Sequence, residues 1–150
     1  MKKCLLIHGP NMNMLGVREP KIYGTTTLNE VNAVLNIYAK KKNLDLYYFQ
    51  SNHEGSIIDC IQDAYGNYEG IIINAAAYAH YSHAIADALK AVGIPAVEVH
   101  MSDITKREEF RKTSVIAPAC VARFYGKGAD SYMEAIDFIA GYIANSSKPK

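Results

Sequence analysis

The sequence predicts an α/β sandwich built on a parallel sheet. Short apolar runs alternate along the chain with amphipathic stretches of helical period. Most of the runs are continuous rather than alternating, as strands covered on both faces require. Strands are expected at Cys4–His8, Leu46–Phe49, Gly70–Asn74, Ala96–His100 and Ala119–Phe124. Between them, Leu28, Val31, Leu35, Tyr38 and Ala39 share one helical face, as do Ile57, Ile58, Ile61 and Ala64. Ile85, Ala88, Leu89 and Val92 form a third such face, and Met133, Ile136, Ala140 and Ile143 a fourth. Thr27-x-x-Glu30, Ser51-x-x-Glu54, Thr105-x-x-Glu108 and Ser131-x-x-Glu134 read as capping boxes that start helices. Five strands with right-handed crossovers fit a flavodoxin-like, three-layer sandwich with helices on both faces. In such a sheet ligands bind beyond the carboxyl ends of the strands, at the switch point of strand order.

The chain of 150 residues is expected to be one domain, 1–150, with 145–150 as a disordered tail. Sixteen basic residues against fifteen acidic ones leave a net charge of +1, which argues against a nucleic-acid partner. The odd set Cys4, Cys60 and Cys120 has no metal-ligand spacing and reads as small buried residues in a reducing compartment. The apolar run Cys4–Ile7 is too short for a signal peptide or a membrane span, so a cytoplasmic protein is expected.

The predicted strand ends carry the polar chemistry. The first leads into Gly9-Pro10-Asn11-Met12-Asn13, the second into Gln50-Ser51-Asn52-His53-Glu54, the third ends at Asn74 ahead of His80, and the fourth ends Glu98-Val99-His100. No P-loop and no Gly-x-Gly-x-x-Gly follows the first strand. Gly126-Lys127-Gly128 suits an anion nest or a turn, and the turn is the favoured reading. His80 and His83 share a helical spacing, with His53 and Glu54 as conceivable additions, but no zinc motif links them and no metal is expected. Glu98 and His100, two apart on a strand, face the same way. A carboxylate so placed orients an imidazole and favours its protonated form, which suits a proton donor. Arg18 and Tyr23 lie in one loop. A phenol titrates near ~10 and becomes a usable base beside a guanidinium. Spacing alone leaves open the alternative that Arg18 pairs with Glu19 and Tyr23 packs on the domain.

Five blocks, in order, resemble the type II 3-dehydroquinate dehydratase family. They are Gly9-Pro10-Asn11-x-Asn13-x-Leu15-Gly16-x-Arg18-Glu19-Pro20-x-x-Tyr23-Gly24, Gln50-Ser51-Asn52-His53-Glu54-Gly55, Ile73-Asn74-Ala75-Ala76-Ala77-Tyr78-x-His80, Val97-Glu98-Val99-His100 and Arg107-Glu108-Glu109-Phe110-Arg111. The resemblance implies dehydration of 3-dehydroquinate to 3-dehydroshikimate by anti elimination through an enolate, without cofactor, metal or Schiff base. It implies Tyr23 as base, Arg18 stabilising its phenolate from a lid loop, Asn11 steadying the enolate, and His100 as acid positioned by Glu98. Met101 and Ser102 would bind the substrate carboxylate, and Asn74, His80 and Arg111 the ring hydroxyls. Arg107 would work with the lid. Asp87 would reach a neighbouring subunit's site in a homododecamer, a tetramer of trimers, with no nucleic-acid or membrane partner. His8 stands where the family commonly has asparagine, Met12 and Met14 where it has leucine, and Thr105-Lys106 where it has His-Ala. Arg123-Phe124-Tyr125 departs from its glycine-rich last strand. The competing reading is a flavodoxin-like module that binds a small phosphorylated ligand.

Overall fold

A computed structural model describes residues 1–17 and 19–146; Arg18, the side chain of Tyr23 and residues 147–150 lie outside the description. Five strands, β1 (Lys2–His8), β2 (Leu44–Gln50), β3 (Gly70–Asn74), β4 (Ala96–His100) and β5 (Ala122–Tyr125), form a sheet in the order β2-β1-β3-β4-β5. Every neighbouring pair is parallel. The helices are α1 (Pro20–Tyr23), α2 (Leu28–Lys41), α3 (Glu54–Asp63), α4 (His83–Val92) and α5 (Ala129–Ser146). The architecture is the expected flavodoxin-like sandwich.

The period-2 geometry of the strands divides the core. Cys4, Leu6, Ile72, Val97 and Val99 face α2 and α5. Leu5, Ile7, Ile71 and Ile73 face α3 and α4. Burying a side chain such as Ile71, Ile72 or Ile73 contributes roughly 1.5–3 kcal/mol, which explains the unbroken apolar run of β3. Among the described residues no helix is long and apolar enough to cross a membrane.

Local chemistry follows the expected signals unevenly. The Thr27 hydroxyl accepts the Glu30 N–H at 3.2 Å and donates to the Glu30 carboxylate, so Thr27 is the N-cap of α2. The Ser51–Glu54 box does not form: Ser51 Oγ accepts from the His53 N–H, and the Glu54 carboxylate instead accepts from Ser82 Oγ at 2.5 Å. Ser82 itself caps α4 through the Ile85 N–H. Thr105 starts no α-helix; its N–H is held by Asp103 in a 3₁₀ turn, Ile104–Lys106. Ser131 lies inside α5, where its hydroxyl accepts the Lys127 N–H. The last strand begins at Ala122 rather than Ala119, because Ala117–Ala119 forms a 3₁₀ turn. Asn145 and Ser146, expected in a tail, close α5; the rest of that expected tail, 147–150, lies outside the described residues.

Candidate active site

The switch point falls between β1 and β3, since the chain leaves β1 toward β2 and crosses back to β3. Two loops therefore meet there. Gly9 donates its N–H to the Asn74 carbonyl at 2.7 Å. A Cβ on Gly9 would stand 2.5 Å from the Ala75 carbonyl oxygen, so only glycine permits the approach. Asn11 is left-handed (φ 67°), a conformation asparagine tolerates, and its N–H donates to Asn52 Oδ1 at 3.0 Å. Ala76 is also left-handed (φ 52°), which is strained for alanine, and its N–H donates to Asn74 Oδ1.

These loops and the ends of β3 and β4 border a shallow pocket. Asn11, Asn74, His80, His100, Met101, Ser102, Arg107 and Arg111, all expected at a site, line it together. Glu98 stands behind His100 and is fully buried. Its Oε2 accepts from His100 Nε2 at 2.6 Å and from Ser114 Oγ at 2.7 Å. Its Oε1 is buried without a hydrogen-bond partner among the described residues. The period-2 expectation for this pair is met, and Nδ1 is the His100 nitrogen not committed to Glu98.

His80 packs nearly parallel to His100, ring centroids 6.0 Å apart, and makes an edge-to-face contact with Phe110. Its Nδ1 donates to the Thr113 carbonyl at 2.8 Å, leaving Nε2 as an acceptor on a neutral ring. Burial lowers the His80 pKa, and the neighbouring His100 and Arg111 lower it further against the pull of the Thr113 carbonyl. Arg107 reaches Ser102 Oγ at 3.4 Å and the Glu19 carboxylate at 3.3 Å, so it ties the segment before α1 to the pocket wall. Arg111 pairs with Glu108 at 2.6 Å and lies over the Phe110 ring.

Other expected residues fall elsewhere. Arg18 and the Tyr23 side chain are outside the described residues; the Tyr23 backbone ends α1. Asp87 lies exposed on α4, away from this pocket. His83 is exposed at the start of α4, and among the described residues no three His, Cys, Asp or Glu side chains converge as a metal-ligand set. The Gly126–Gly128 segment is a turn whose Lys127 and Gly128 N–H groups are taken by Ser131 Oγ and the Met101 carbonyl. Sequence patterning does not point to Thr113, Ser114 or Tyr132. A serine 16 residues from its glutamate carries no periodic signal, and Tyr132 falls outside the apolar face read for its helix, though it is buried.

Polar side chains from several loops thus converge beyond the strand ends at the switch point, where α/β enzymes hold their ligands. Comparison narrows the class. The family model described as dehydroquinase class II matches residues 2–140, and the chain belongs to that family. The chain is 56% identical over 137 residues to a 3-dehydroquinate dehydratase of Caldicellulosiruptor saccharolyticus, covering 91% of this chain and 94% of that one. A 3-dehydroquinate dehydratase of Geotalea daltonii is 50% identical over 141 residues, 94% and 98% of the two chains. The crystal structure of type II dehydroquinase from Butyrivibrio crossotus superposes with a TM-score of 0.90 at 48% identity, covering 92% and 97%.

Proposed function

We propose that the chain dehydrates 3-dehydroquinate to 3-dehydroshikimate by anti elimination through an enolate. The buried Ser114–Glu98–His100 chain ending at a pocket lined by Ser102, Arg107 and Arg111 is the observation that carries this reading. Tyr23, its phenolate held by Arg18, removes the C2 proton, and the C–H pair moves into the enolate. Asn11 steadies the developing oxyanion, the kind of charge that fixed donors stabilise best. The enolate then collapses to the C1–C2 double bond while the C1–O bond breaks. His100, oriented by Glu98, gives its proton to the departing hydroxyl, which leaves as water. The substrate carboxylate sits against Ser102 and the Met101–Ser102 backbone, with Arg107 completing that end. Asn74, His80 and Arg111 take the ring hydroxyls.

The same reading makes the enzyme a cytoplasmic homododecamer, a tetramer of trimers. The exposed position of Asp87 on α4 supports its reaching a neighbouring subunit's site. A fully active monomer in light scattering would overturn that assembly.

The direct test mixes purified protein with 3-dehydroquinate and follows the conjugated enone of the product in the ultraviolet. One parallel sample contains a chelator, and another is pretreated with borohydride and substrate. Turnover in all three is expected. A folded protein without turnover overturns the reading, and loss of activity in either treated sample overturns its metal-free, imine-free chemistry.

A further inference from the structure

His8 is fully buried at the end of β1, beside Asn74 at the end of β3. Both of its ring nitrogens have neutral partners: Nε2 lies 2.9 Å from Asn32 Oδ1, and Nδ1 lies 3.3 Å from Tyr132 Oη. Tyr132 Oη is in turn 2.8 Å from Asn74 Nδ2. The direction of every bond in this chain follows from one end. The Ala76 backbone N–H can only donate, so Asn74 turns Oδ1 toward it and Nδ2 toward Tyr132. Tyr132 Oη therefore accepts from Asn74 and spends its proton on His8 Nδ1. A neutral His8 then carries its proton on Nε2 and donates to Asn32 Oδ1. Burial lowers the His8 pKa to about 4, which keeps the ring neutral and Nδ1 an acceptor. A proton on Nδ1 would face the Tyr132 hydroxyl as a second donor and break the sequence.

The consequence lies in the pocket. Among the described residues the second N–H of Asn74 meets a weak acceptor, the Met12 thioether at 3.7 Å, and both residues line the pocket. A ligand oxygen is the stronger partner for it.

We infer that His8 and Tyr132 are positioning residues that lock the Asn74 amide with an N–H turned to the pocket, so that the site donates there to a hydroxyl or carbonyl oxygen of its ligand. The inference rests on the dehydratase reading for the identity of that ligand. The hydrogen bonds themselves span α2, β1, α5 and the end of β3.

A double-mutant cycle tests it, with steady-state kinetics on 3-dehydroquinate for the wild type, Tyr132→Phe, Asn74→Ala and the double variant. Tyr132→Phe should raise KM about fivefold, the worth of one neutral hydrogen bond, with a smaller change in kcat. In the Asn74→Ala background it should raise KM no further. An equal rise in both backgrounds would make Tyr132 merely structural and overturn the inference. Nitrogen-15 spectra of the histidine rings in the wild-type protein give a second reading that needs no folded variant. His8 should be the Nε2–H tautomer and remain neutral down to about pH 5. An Nδ1–H tautomer overturns the inference. Wild-type turnover is the control: its absence overturns the dehydratase reading, and the ring tautomer then decides the network alone.

Discussion

The pocket wall at the end of β4 and the segment around α1 are built on opposite terms. At β4, Glu98 is 0% and His100 4% exposed, and folding itself fixes the imidazole through a 2.6 Å bond. Across the pocket mouth, Glu19, Pro20, Lys21, Ile22 and Gly24 are exposed, Glu19 is left-handed at φ 41°, and the tie to the wall is the partly exposed Arg107–Glu19 ion pair. Burial makes the first arrangement costly to disturb, because a buried charged group left without its partner keeps its full desolvation penalty. The half-exposed Glu19 carboxylate leaves the second pair partly screened by solvent, and screened pairs contribute little. The residue proposed as proton donor thus stands on the sheet, and the residue proposed as base on a surface segment.

Substitutions that remove chemistry from each side should have the largest effects. His100→Ala should lower kcat by about 10²–10⁴, with dehydration losing more than hydrogen exchange at C2. Tyr23→Phe should abolish both while leaving substrate binding largely intact. Equal losses of exchange and dehydration in His100→Ala would remove the division of labour between the two walls. Gly9→Ala attacks the junction that brings the loops together. Its Cβ would strike the Ala75 backbone, and thermal unfolding should show a loss of about 1–3 kcal/mol.

Acid should destabilise the fold through the buried His8 at the end of β1. His8 is neutral in the folded protein, with a pKa of about 4, and ordinary when unfolded. Between these values the unfolded chain binds the extra proton, so the associated stability is complete above about pH 6.5 and falls as pH drops toward 4. The loss is roughly 3 kcal/mol by pH 4. A His8→Asn variant whose acid unfolding matches the wild type would contradict it. Ser114→Ala removes one of two donors to Glu98 and should lower kcat about tenfold with KM little changed. The smallest effect belongs to the exposed side: Glu19→Gln should cost under about 1 kcal/mol in unfolding experiments. A larger loss would erase the contrast between the two regions.

Much of the buried side was legible in the sequence. Alternation alone put Glu98 and His100 on one face, and unbroken apolar runs located β1, β3 and β4. Thr27 was readable as a cap because its partner Glu30 is three residues away. Ser51 and Glu54 show the limit of that signal: Ser82 is a closer partner for the carboxylate once α3 and α4 pack together. Ser114, Thr113 and Tyr132 were invisible for the same reason. Their partners lie far along the chain, and only the packed sheet brings them within reach. The last strand starts at Ala122 rather than at the expected Ala119, because a 3₁₀ turn opened by Pro118 takes up Ala119 first.

Thr113 and Ser114 are adjacent, yet one holds His80 by its carbonyl and the other holds His100 through Glu98. Two bonds anchor the dipeptide to the frame, from the Val115 N–H to the Ala79 carbonyl and from the Ala117 N–H to Ser114 Oγ. The two imidazoles are therefore gauged against a common jaw. A shift of that one dipeptide would reach both rings at once, as one jaw of a caliper bears on everything it grips.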